Sequence, residues 1–207
     1  MKMRFLNVFM SLAVIWSALL LTAGCGGRVS RLTAEETDLI MSSDGLMRVL
    51  LVTSPEDSLV LRTPCTDLAE EDLLSEVYEH LACRMIATVT DSTQDGVGLA
   101  APQVGLNRRV VAVMRYDKPG YLFEVYPNIY IEYYSEETQT GPEGCLSIPG
   151  PAGEVERSQQ IIIRYTDPAT LSAVRDTVDG YTAVIFQHEV DHLEGILFTD
   201  RLTDSKE

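Results

Sequence analysis

The sequence predicts an α+β fold, on three observations. Residues 67–90 keep the helical spacing of apolar side chains. Five strand-like segments follow with no helical run between them, and one further helix comes near the C-terminal end, around residues 181–194. Strands gathered between two helices, rather than alternating with helices, argue against a βαβ repeat.

Taken in order, the chain opens on a targeting segment. Lys2 and Arg4 form a basic start, and the run from Phe5 to Gly27 carries no charge and is long enough to span a bilayer. It ends in Leu21-Thr22-Ala23-Gly24-Cys25, small residues before a cysteine. This resembles a bacterial lipoprotein signal, in which residues 1–24 are removed and Cys25 is lipidated. A plain cleaved signal or an uncleaved anchor stays open, because Thr22 stands where such signals usually have leucine. Each version leaves the rest of the chain extracytoplasmic, on the periplasmic side or at the cell surface. It would be held to the membrane by a lipid anchor or by the N-terminal segment itself. Residues 25–45 are polar and mixed and read as a tether, and residues 46–207 as one domain with a core of its own.

Composition narrows the partners. Thirty-one acidic residues against sixteen basic ones give a formal net charge of −15. That balance argues against nucleic acid or an anionic membrane surface as a partner. A monomer is expected. Of four cysteines, Cys25 is assigned to the lipid, which leaves Cys65, Cys83 and Cys145. An odd number in an oxidising compartment means that at least one is free or bound to metal.

Within the domain, Pro55 and Pro64 bracket an extended or loop stretch at residues 59–62. Asp67 and Glu70 read as a capping box that opens the first long helix. Leu73, Leu74, Val77, Tyr78, Leu81, Met85, Ile86 and Val89 continue it to residue 90. His80 rides on that helix and is read as structural. Residues 96–105 fit a loose dinucleotide-binding pattern, Gly-x-Gly-x-x-Ala. However, a loop precedes them and Pro102 opposes a helix after them. They read better as a Gly-Ala turn that brings backbone close to a ligand, with Gln103 as its side-chain donor. Strands are expected at residues 109–114, 121–126, 129–134, 159–165 and 171–178. Gly141 to Gly150 falls between the third and fourth as a glycine- and proline-rich stretch around Cys145. Spacing leaves Cys145 open between a metal ligand and a buried, hydrophobe-like thiol.

The last helix carries the chemistry. Gln187-His188-Glu189-Val190-Asp191-His192 places two of the three histidines at i and i+4, on one face, where both imidazoles can hold one metal ion. Glu189 is placed to exchange protons with a water activated at such an ion. The third ligand is not given by this segment. The metzincin pattern holds through Gly195 and then meets Phe198 where a histidine is needed. A thermolysin-type glutamate would need a helix that the fifteen residues after His192 are too few to form. The candidates lie upstream: His80, a cysteine or an acidic residue.

Three stretches, in this order, are similar to the signature motifs of peptide deformylases: residues 96–103 (GVGLAAPQ), residues 143–147 (EGCLS) and residues 187–192 (QHEVDH). Met47-Arg48-Val49-Leu50, Pro55, Leu61-Arg62, Val155-x-Arg157 and Gly195-x-Leu197-Phe198 also fit that family. The resemblance covers about residues 46–204. It implies antiparallel β-sheets around a central metal-binding helix. It further implies a metal-dependent hydrolase that removes the N-formyl group from formyl-methionyl peptides or N-termini.

Carried onto this chain, Cys145, His188 and His192 would be the metal ligands, and Glu189 the general base and acid. Gln103 and the backbone N–H of Leu146 would stabilise the oxyanion, and Gly96, Gly98, Glu143 and Tyr181 would surround the substrate. The cofactor implied is one divalent ion, Fe(II) by resemblance, with Zn(II) or Ni(II) also suited to the donors. Tyr181 departs from the family, standing where an aliphatic residue is common. Two other readings remain: an N-acyl amidase or peptidase of relaxed specificity on the same scaffold, and a peptide-binding lipoprotein without turnover.

Overall fold

Val29–Ser30 (β1) pairs in parallel with Asp67–Leu68 (β2), so the chain joins the domain well before residue 46. The structure, a computed structural model, describes residues 27–94 and 96–203. The signal at residues 1–24 and the lipidation site Cys25 lie outside those residues. No helix among the described residues is long and apolar enough to cross a membrane.

The tether reading of residues 25–45 is corrected from residue 27 onward. Ala34–Met41 forms a helix (α1) with a capping box, Thr33 Oγ1 accepting from Glu36 N–H and Glu36 Oε2 accepting from Thr33 N–H. Ile40 on this helix is completely buried. Two arginines of the domain grip the segment. Arg108 donates to both Glu36 carboxylate oxygens (2.7 and 2.6 Å) and to the carbonyls of Ser30 and Arg31 (2.8 and 2.7 Å). Arg84 donates to the carbonyls of Leu39, Ile40 and Gly45. Polar composition concealed this attachment, because backbone carbonyls and a carboxylate make most of it and the apolar part is limited to Ile40 in the core and Leu32 packed against it.

Burial alone would raise the Glu36 carboxyl. The hydrogen bonds from Arg108 and from Thr33 N–H outweigh it and hold the pKa below its ordinary 4.5. A carboxylate lowered on folding adds stability above its unfolded pKa and loses it as pH falls through the folded value. Limited proteolysis at residues 27–45 is therefore expected to stay slow at neutral pH and to accelerate once the pH falls below about 4.5. In Arg108→Ala the fast cleavage should be present already at neutral pH.

Residues 55–61 are helical (α2, Pro55–Leu61), not extended. Pro55 occupies the first turn, where its missing N–H is no loss, and Ser54 caps the helix by accepting from Asp57 N–H. The long helix expected at residues 67–90 is three elements. After β2 comes a single turn (α3, Glu70–Leu73), and only then a helix of fifteen residues (α4, Glu76–Thr90) with Ser75 as its cap. Asp67 makes no capping box; its carboxylate accepts from the Tyr130 hydroxyl at 2.7 Å.

Gly98–Ala100 (β3), Val110–Met114 (β4) and Phe123–Pro127 (β5) form an antiparallel sheet in that order. Val110 and Ala112 face one apolar core with Leu81, Met85 and Leu99. Val111 and Val113 face a second with Ile161, Ile185 and Phe186. Alternate side chains of β4 thus enter opposite cores, which explains an apolar strand without polar alternation. Tyr130–Tyr134 (β6), Gln160–Thr166 (β9) and Ala173–Asp179 (β10) make a second antiparallel sheet with β9 central.

Between β6 and β9 lies a hairpin of Thr138–Cys145 (β7) and Ile148–Ser158 (β8), where no strand was expected. Gly180–Leu193 (α5) packs against β3, β4, β6, β8, β9 and β10. The expected architecture, antiparallel sheets around a central helix, is the one observed.

Candidate active site

Helix α5 positions both histidines because it is held at both ends. Gly180 enters it at φ +60, and Gly195 leaves it at φ +72, the left-handed stop that glycine adopts most readily. A Cβ on Gly195 would lie 2.5 Å from the carbonyl oxygen of Arg62. One turn apart, the rings of His188 and His192 have centroids separated by 5.1 Å. Cys145 reaches them from the tip of the β7–β8 hairpin. There the ladder register shifts between Glu143 and Cys145, and Leu146-Ser147 make the turn. Such a bulge re-aims the side chain that follows it. Cys145 Sγ stands 3.3 Å from His192 Nε2, and one donor atom from each of Cys145, His188 and His192 lies within 4.8 Å of the others.

The donors fit a transition metal. A thiolate with two imidazoles suits Fe(II), Zn(II), Ni(II) or Co(II). Beside them, Glu189 Oε2 and His192 Nδ1 are buried with no hydrogen-bond partner among the described residues, as happens where a ligand or ordered water belongs. Burial holds His192 well below its usual pKa, in the neutral form that ligates. Burial opposes protonation of His188 too, but hydrogen bonds with Cys145 and Glu143 lift it to about 10. A cation at the three donors would displace that proton. Burial pushes Glu189 up to about 7.

Gln103 lies in a 3-10 turn, Ala101–Val104, directly after β3. Ala100 N–H donates to its Oε1 at 2.8 Å, which fixes the amide and turns Nε2 toward Ser147 Oγ (3.2 Å) and Cys145 Sγ (3.6 Å). Gly98 passes against Glu189 so closely that a Cβ there would lie 2.3 Å from Oε1. Gly96, Gly98, Gln103, Cys145, Leu146, Tyr181, His188 and Glu189 line one cavity of about 370 Å³. His80 is elsewhere, its Nε2 3.0 Å from the Ser43 carbonyl oxygen.

Glu143, expected to bind substrate, also borders the cavity, and its carboxylate is taken up by protein groups. Its Oε2 accepts from His188 Nδ1 at 2.8 Å, and both oxygens accept from Arg157 at 2.7 and 3.0 Å. Burial would raise its pKa, but Arg157 and His188 bring it down to about 2. The Glu143 carboxylate is therefore placed to orient a metal-ligand candidate. Sequence reasoning missed the rest of this network. Arg157 Nη1 donates to Asp191 at 2.5 Å, and Arg201 donates to both oxygens of Asp191. The signal was a charged residue, Asp191, on the inward face of a helix.

Cys65, Cys83 and Cys145 are free thiols. Burial pushes Cys65 up to about 12, whereas Cys83 is exposed on α4. Peptide mapping after alkylation should find Cys83 labelled at once and Cys65 only after unfolding. If Cys145 holds a metal with the two histidines, it should be labelled only once a chelator has removed that ion.

An α+β domain that gathers a cysteine and two histidines around a buried glutamate is built as a metal-binding hydrolase. Residues 49–207 match the family model for polypeptide deformylase, and the chain belongs to the peptide deformylase family of enzymes. It is 35% identical over 174 residues to the peptide deformylase of Roseiflexus sp. (strain RS-1), covering 77% of this chain and 90% of that one. It is 40% identical over 149 residues to peptide deformylase 1 of Bacillus cereus, covering 70% and 86%. Among solved structures, a class I type b peptide deformylase from Acinetobacter baumannii with bound Met-Ala-Ser superposes with a TM-score of 0.67. Its identity is 35%, and the match covers 76% of this chain and 98% of that one. The peptide deformylase of Thermotoga maritima gives 0.66 at 34% identity, with the same coverage.

Proposed function

We propose that the chain removes the N-formyl group from peptides that begin with formyl-methionine, at a divalent ion held by Cys145, His188 and His192. The observation that carries this is the approach of those three donors within 4.8 Å of one another, with Cys145 and His188 lining the cavity that also holds Glu189 and Gln103 and His192 buried behind it. When bound, the ion acts as a Lewis acid that polarises the formyl oxygen and acidifies water. Glu189, raised to about 7, takes a proton from the attacking water and returns it to the leaving amine near neutral pH. Gln103 Nε2–H and the Leu146 backbone N–H donate to the formyl oxygen as it gains charge. The apolar lining of Val97, Leu146, Val184 and Ile185 suits a methionine side chain.

Gln103→Ala is expected to lower kcat about 10²–10³-fold with little change in KM, the mark of an oxyanion donor. Steady-state kinetics check it. The function itself is tested with formyl-Met-Ala-Ser and acetyl-Met-Ala-Ser and the chain loaded anaerobically with Fe(II) or Zn(II). Formyl-selective turnover supports deformylation. Comparable acetyl turnover would favour the relaxed amidase, and binding without turnover the non-catalytic reading.

We further propose that this enzyme works outside the cytoplasm, anchored through Cys25 or through the segment before it. The basic start, the uncharged run to Gly27 and the small residues before Cys25 support it. Fractionation of cells that make wild type or Cys25→Ala tests it: release of the variant from the membrane fraction identifies the lipid on Cys25 as the anchor, its retention identifies the N-terminal segment, and a soluble cytoplasmic location of wild type would overturn export. In an oxidising compartment Fe(II) is vulnerable, so Zn(II) is the resident metal in this reading. Iron alone in protein purified from its native compartment would refute that.

A further inference from the structure

The cavity continues outward at Tyr181. This residue is 54% exposed, and its ring lies 5.4 Å, centroid to centroid, from Tyr116, which lies another 5.4 Å from Tyr121. The three rings, tilted by 51° and 43° from one to the next, form a shelf that begins at the cavity wall. Tyr116 and Tyr121 come from the turn between β4 and β5, and Tyr181 from the first turn of α5.

That turn is fastened in place. Arg115, 1% exposed at its base, donates to both Asp117 oxygens (2.8 and 2.6 Å), to Asp176 (3.0 Å) and to the Tyr126 hydroxyl (2.5 Å). Asp117 N–H donates to Thr182 Oγ1 at 3.2 Å, which ties the turn to α5 beside Tyr181. Tyr121 follows Gly120 and sits at φ +50, a left-handed conformation that is uncommon for an aromatic residue. It is 58% exposed and Leu122 beside it 68%, so burial within the chain does little to offset that strain. The one cation on the turn outside its base, Lys118, is paired with Glu124.

We propose that the shelf of Tyr181, Tyr116 and Tyr121 is a specificity site that receives a large apolar or aromatic side chain from one of the two residues following the N-terminal one in the substrate peptide. The inference rests on the deformylase reading and narrows its substrates to peptides with an apolar start. Continuity carries it: Tyr181 lines the cavity and its ring also packs, tilted by 51°, against Tyr116, so a chain whose first side chain fills the cavity lays its next ones across the rings. Rigid, uncharged aromatic faces favour apolar and aromatic side chains by stacking and area burial.

The test compares kcat/KM for formyl-Met-Ala-Ser, formyl-Met-Phe-Ser and formyl-Met-Ala-Phe in the metal-loaded full chain, in Tyr116→Ala and Tyr121→Ala, and in Tyr133→Ala, an exposed tyrosine on β6. Wild type should favour one of the phenylalanine peptides about fivefold, through KM. The ratio should fall to within about twofold of unity in the two shelf variants and persist in Tyr133→Ala. Calorimetric binding of the unformylated peptides reads the shelf without turnover. A phenylalanine preference in binding that the shelf substitutions abolish, with no deformylation of any peptide, would sink the functional reading and leave the shelf standing. Absence of the preference in wild type, or its survival in Tyr121→Ala, overturns the shelf. Tyr121 is exposed enough for that variant to fold even if Tyr116→Ala does not.

Discussion

Glu189→Gln is expected to lower kcat/KM for a formyl-Met peptide by about 10²–10⁴-fold, the usual contribution of a general acid–base, while leaving the fold at least as stable as wild type. The two halves of that expectation share a cause. Glu189 is 4% exposed, one of its oxygens has no partner, and burial raises its carboxyl to about 7. Each condition disfavours a carboxylate in the folded protein and favours a base that exchanges protons near neutrality. The neutral amide relieves the burial of charge and loses the proton exchange. Kinetics, thermal unfolding and metal content of the variant decide it. Activity within about threefold of wild type, with metal still bound, would remove Glu189 from the chemistry.

The helix with its His-Glu-x-x-His segment was legible because everything in it is local: histidines one turn apart, apolar spacing, and a glycine stop. Strand β4 and its neighbours were legible through their apolar and β-branched runs. The β7–β8 hairpin was not, although Cys145 sits at its tip. Its buried positions include Glu143 and Arg157, with Val155 the one buried hydrophobe, so hydrophobic alternation had almost nothing to register. Its glycines and prolines read as loop. The N-terminal segment failed for a related reason, since Arg108 and Arg84 hold it through carbonyls and one carboxylate. The contacts of Glu143 with His188 and Arg157 were not legible because those partners lie on other elements or across the hairpin, and no local pattern announces a contact between them. In each case the unreadable parts are those where buried charge, not apolar area, makes the attachment.

That buried charge underlies the second large effect. Arg157 is 5% exposed and is the cation shared by Glu143 and Asp191, which are themselves 7% exposed. Removing Arg157 leaves the buried Glu143 carboxylate without its guanidinium and Asp191 with only the half-exposed Arg201, so Arg157→Ala is expected to destabilise by about 3–5 kcal/mol. The same substitution frees Glu143 to move, and Glu143 is what fixes the His188 ring, so metal affinity should fall about 10–100-fold. Arg201 provides the internal comparison, since it also binds Asp191 but its side chain is 43% exposed. Arg201→Ala should destabilise by no more than about 1 kcal/mol and leave metal affinity near wild type. Arg157→Lys, which keeps the charge but cannot donate in a fork to two carboxylates, should fall between them. Denaturant unfolding together with a metal competition titration separates the cases. Equal losses in Arg157→Ala and Arg201→Ala would mean that Asp191, not Glu143, sets the position of the ligand helix.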